Sequence, residues 1–87
     1  MITPTIHLNG TSKAELLEQL RNAYTAVRNA QKVLQEAAPN GRDYYPQGPG
    51  AILQAQSEYE SRLTRLQDVA KELEEIQEAI YEQGGKK

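Results

Sequence analysis

Residues 51–82, AILQAQSEYESRLTRLQDVAKELEEIQEAIYE, contain no proline or glycine and place their apolar side chains on a seven-residue grid. Ile52, Tyr59, Leu66, Leu73 and Ile80 make one row, and Ala55, Arg62, Val69 and Ile76, three places further on, make a second. At 3.6 residues per turn the two rows share one face, so the stretch reads as a long amphipathic helix from about residue 50 to 82. Leu63 and Ala70 widen that face, while Glu58 with Arg62 and Lys71 with Glu75 stand one turn apart on its flanks, where opposite charges support a helix. The last turns are rich in Glu and meet the negative end of the helix dipole, which predicts fraying there and a disordered tail over 84–87.

Reading backwards, residues 39–50, PNGRDYYPQGPG, hold three prolines, three glycines and a tyrosine pair. Asn40-Gly41 is a turn signal, and Gly48-Pro49 suits the start of the next helix. A solvated linker is a poor place for two adjacent tyrosines, so this is expected to be an ordered loop. Before it, residues 12–38 lack proline and glycine and repeat Leu17, Leu20, Tyr24, Val27 and Leu34 at helical spacings, with Gln31 as the polar member of the face. Leu16, Ala23, Ala30 and Ala37 form a neighbouring row of mostly small side chains. Ser12 is placed to accept from the Glu15 amide while the Glu15 carboxylate reaches back, and Pro39 stops the helix. Residues 1–10, MITPTIHLNG, alternate briefly at Thr5-Ile6-His7-Leu8 before Asn9-Gly10, as an extended arm or short strand would.

These segments predict an all-α fold: an antiparallel two-helix hairpin over 11–83, with helices at about 12–38 and 50–82 joined by the loop 39–50, and an extended N-terminal arm over 1–10. The chain has 87 residues, and so short a chain buries a thin core. Both helices carry broader apolar faces than one seam needs. Self-association into a homo-oligomeric helical bundle is therefore expected.

Composition removes several function classes. There is no cysteine and one histidine, so thiol catalysis and the usual zinc sites are out. A net charge of -2 gives no general attraction to long nucleic acid. No run is apolar enough for a membrane span, and the cytoplasm is the expected location. No serine, histidine or glycine pattern matches an established catalytic motif, so the chain reads as non-enzymatic, without a cofactor or a metal.

The residues best suited to binding are Arg42, Tyr44 and Tyr45. A guanidinium is a planar fork for phosphate or carboxylate, and tyrosine rings stack on bases. The alternative is that the tyrosines fold back over the open end of the hairpin as an apolar plug. Arg62 interrupts an otherwise apolar row, and Tyr59 stands three residues before it, so the two offer one wall of a pocket between subunits. His7, Asn9 and Thr11 bring further donors near a helix start.

The segments HLNGTSKAELLEQL, APNGRDYYPQGPGAI and EYESRLTRLQDVAKELEEI resemble small uncharacterised proteins of tailed bacteriophages and prophages, over roughly residues 5–80. That resemblance implies a bacterial host cytoplasm during infection and an accessory role such as counter-defence. Combined with the arginine-tyrosine loop, it gives the expected function: sequestering a small anionic nucleotide-derived signal, of the cyclic oligonucleotide or ADP-ribose type, in pockets between subunits. The rival expectation is a helical module that docks onto a host protein or assists phage assembly.

Overall fold

The computed structural model describes residues 1–84. Two long helices, α1 (Lys13–Glu36) and α3 (Ala51–Gly84), pack antiparallel, with the short helix α2 (Gly41–Tyr44) and a 3-10 turn at Tyr45–Gln47 between them. The molecule is a rod of 62 × 20 × 19 Å.

Helix α1 begins where the sequence places its cap: Ser12 is extended, and its Oγ accepts from the Glu15 amide at 3.1 Å. Among the described residues no return bond from the Ser12 amide to the Glu15 carboxylate accompanies it, so half of the reciprocal cap forms. The helix closes through the Ala37 amide on Leu34 O and the Ala38 amide on Gln35 O, just ahead of Pro39.

The loop is more regular than its composition suggests. Asn40 caps α2, its side chain accepting from the Arg42 amide at 3.0 Å, and Gly48, at φ 102°, makes the reversal into α3. Helix α3 then runs through Gly84. Its C-terminal end meets a cation from across the seam. Lys13 of α1 donates to the Tyr81 carbonyl at 3.2 Å, placing a cation at the negative end of a helix that has no basic residue in its last turn. Apart from Gly84, the tail expected over 84–87 lies outside the described residues.

The arm forms no strand among the described residues. It lies across the end of α3, held by the side-chain amide of Gln83, whose Oε1 accepts from the Ile6 amide at 2.8 Å and whose Nε2 donates to Pro4 O at 2.7 Å. These two bonds bracket Thr5 as a neighbouring parallel strand would, with a side-chain amide in place of a peptide group. Alternation ends at Leu8, which is 97% exposed because the chain turns there through a Gly10 amide to His7 carbonyl bond of 3.1 Å.

Among the described residues few side chains are buried: Leu17, Ala55, Ala70 and, completely, Ile80. Two of the four are alanines, which lets the helices approach closely. The two sides of the seam differ. On α1 Leu17, Leu20, Tyr24, Val27, Gln31 and Leu34 face α3; Arg21, Arg28 and Gln35 follow Leu17, Tyr24 and Gln31 by four residues, about 40° to one side, and Ala23 and Ala30 precede Tyr24 and Gln31 by one, about 100° to the other. On α3 Leu63, Leu66, Ala70, Leu73, Gln77 and Ile80 face α1, with Gln67, Glu74 and Tyr81 on the flank beside Leu63, Ala70 and Gln77, and Arg62, Val69 and Ile76 on the other flank, beyond Leu66, Leu73 and Ile80. Arg21 Nη1 donates to Tyr81 Oη at 3.2 Å, Glu74 lies beside Tyr24, and Gln67 shares a recess with Arg28, Lys32 and Gln35. The polar rows thus meet on one side. Because the helices are antiparallel, the alanine row and the Arg62-Val69-Ile76 row both fall on the opposite side.

Candidate functional site

The loop end of the hairpin concentrates the exposed aromatic surface. Helix α2 sets the two tyrosines one residue apart in a helical turn, where neighbouring side chains diverge by about 100°. Tyr44 is accordingly half-buried, and Tyr45 is 85% exposed. Both line an apolar recess of about 270 Å³ with Gly41, Gly48, Pro49 and Ile52. One ring packs inward and the other faces water, so the pair neither plugs the hairpin completely nor stands free of it.

Arg42 is exposed and does not line that recess. Among the described residues it makes no ion pair, Asp43 included. Arg62 lies in an adjoining groove of about 190 Å³, whose wall includes Tyr44, Gln54 and Glu58. Its guanidinium reaches Glu58 at 3.9 Å, with both side chains half in water, and Gln54 Nε2 donates to the same carboxylate at 3.1 Å. The expected one-turn pair Glu58–Arg62 is therefore present, whereas Lys71 and Glu75 form none among the described residues. Tyr59 is half-buried and lines neither recess.

His7, Asn9 and Thr11 belong to the other end of the rod, where the arm meets Gln83. All three are exposed, and the His7 ring lies so close over Gly10 that a Cβ there would come within 2.8 Å of Nε2. Helix α1 alone separates the two groups by roughly 35 Å at 1.5 Å per residue. Within one chain, then, Tyr44 and Tyr45 share a recess, Tyr44 and Arg62 share a groove, and the remaining candidates stand apart.

Three groups carry contacts that the sequence did not single out. Gln83 holds the arm. Lys13, Arg21 and Tyr81 form a cluster in which the Lys13 ammonium also sits 5.7 Å from the Tyr81 ring centroid. A polar recess of about 370 Å³ gathers Arg28, Gln31, Lys32, Gln35 and Gln67, and within this set Gln31 Oε1 is buried without a partner. The signal for Gln31 was present, as a lone amide on an apolar face. For the first two groups there was none, since their bonds join positions 60 to 79 residues apart.

Tyr24 has a raised phenol pKa because the hydrogen bond to Glu74 holds the proton, reinforced by burial and by the carboxylate's charge and opposed by Arg28. Among the described residues no three His, Asp or Glu side chains come together as a metal site, and no helix is long and apolar enough to cross a membrane. No family model, curated relative or solved structure matches the chain.

Proposed function

We propose that the chain is a non-enzymatic, self-associating helical module whose loop end docks onto a protein, in the setting that its phage resemblance implies a host protein countered during infection. The carrying observation is Tyr45, 85% exposed on the rim of an apolar recess, with Leu53 also 67% exposed on the first turn of α3. An aromatic ring held in water by a capped helical turn has the character of an interface anchor. The recess wall is nearly all apolar and its rim lacks Arg42, which favours a side chain over an anion as occupant.

A second reading is the nucleotide-derived ligand. It is favoured by Tyr44, which belongs to both the apolar recess and the Arg62 groove, so that a base beside the tyrosines and a phosphate toward Arg62 would fit one continuous surface. The Glu58 carboxylate at 3.9 Å weighs against it, because an arriving phosphate must displace or tolerate that charge.

A photo-crosslinking residue placed at position 45, with position 78 on the outer face of α3 as control, separates the readings in infected cells. Docking gives one stoichiometric protein adduct from position 45 and none from position 78. Absence of a protein adduct, with a cyclic oligonucleotide or ADP-ribose derivative retained in native mass spectrometry and lost in Y44A, would replace docking by sequestration.

A further inference from the structure

The side of the hairpin opposite the polar contacts is left open along its middle. The bonds of Lys13 and Arg21 to Tyr81 across the seam, with Tyr24 beside Glu74, fix the antiparallel register. In that register Ala23 lies level with Ile76, Ala30 with Val69, and Ala37 with Arg62. Val69, in the row that also holds Arg62 and Ile76, is 44% exposed. The row continues at Gln83, one heptad beyond Ile76, and there the N-terminal arm covers it. Toward the loop, among the described residues, Ile76 is half-buried while Val69 and Arg62 are exposed.

From this we infer that the open strip is a homodimer interface: a second copy lies face to face on it, its loop at the opposite end, related by a two-fold axis at the level of Ala30 and Val69. This rests on the self-association proposed above and gives it a face and an orientation. Three observations support a copy of the chain as the occupant. The first is area. A compact monomer of 9.7 kDa exposes about 5,100 Å², this one exposes 6715 Å², and a standard interface takes about 800 Å² from each partner.

The second is shape. A two-fold axis across the helices lays α1 on its own copy and α3 on its own copy, both antiparallel. The alanine row then meets an alanine row, which permits close approach, and the Val69-Ile76 row meets itself with room for its larger side chains. The third is charge. Arg62 and Arg65 precede Val69, and Glu72 and Glu75 follow it. Reversal about Val69 brings Arg65 beside Glu72 of the second copy, and the converse pair forms by symmetry. With both loops at the same end the axis would run along the helices and lay α3 on α1 of the second copy, where Arg65 and Glu72 would lose these partners. The charge pairs select the reversed arrangement.

The chain has no cysteine, so single cysteines report the geometry cleanly. Under mild oxidation V69C and A30C should each form a disulfide-linked species of twice the chain mass, and E78C, on the outer face, should not. In sedimentation R65E should weaken the dimer about tenfold or more, and R65E/E72R should restore it, since two symmetric pairs reverse together. A wild-type dimer whose V69C form stays unlinked, or in which A30C links only to V69C, overturns this face and orientation while leaving self-association standing. A wild-type chain that stays monomeric up to about 1 mM overturns both.

Discussion

Gln31 occupies the middle of a face otherwise made of Leu17, Leu20, Tyr24, Val27 and Leu34, and its Oε1 is buried with no donor. A buried acceptor without a partner costs about 1–3 kcal/mol relative to its hydrated state. Gln31→Leu should therefore raise the urea midpoint by an amount equivalent to about 1 kcal/mol, provided that no ligand of the adjoining Arg28-Lys32 recess supplies the missing donor. Tyr24 behaves differently, because its environment favours the protonated form. Its pKa is raised above the ordinary 10.0, so the folded state holds the proton more tightly than the unfolded chain. The associated stability is present below pH 10.0 and is lost as the pH climbs through the raised value. Thermal unfolding between pH 8 and 11 should show wild-type Tm falling more steeply than that of Y24F, with E74Q following Y24F.

At the scale of elements, the two long helices were readable because their information is local. Seven-residue rows, the Ser12 cap and the Pro39 stop each act within a turn or two, and each appears in α1 or α3. Helix α2 was hidden under glycine and proline, residues that mark turns without distinguishing a loop from a capped helical turn; the Asn40 cap resolves it. The rows of the heptad were legible, but which flank of each helix meets the polar side of the seam was not, since that depends on packing handedness and register. The arm illustrates the same limit: its extended form followed from Thr5 to Leu8, but its anchor, Gln83, is 77 residues away from Ile6. That anchor is testable. Gln83→Ala removes both an acceptor and a donor of the arm, so amide exchange at Ile6 should accelerate by about tenfold, equivalent to about 1–2 kcal/mol, while amides in the middle of α1 change little.

For the whole molecule, the decisive quantity is how little one chain hides. Among the described residues only Leu17, Ala55, Ala70 and Ile80 are buried in a rod 62 Å long, too few to make an isolated hairpin robust against the entropy of ordering it. If most of the stability comes from the second copy, unfolding and dissociation are one event, and the transition must depend on protein concentration. Per-residue unfolding entropy applied to two 87-residue chains gives a Tm that rises by about 4 °C for each tenfold increase in concentration. Val69→Glu separates this from ordinary marginal stability. In the single chain that position is 44% exposed and a carboxylate there stays in water, whereas on the two-fold axis two carboxylates would be forced together. The variant should thus melt at a temperature independent of concentration, close to the wild-type value extrapolated to high dilution. A wild-type Tm that holds steady from micromolar to millimolar chain, and is matched by V69E throughout, would mean that the hairpin stands alone.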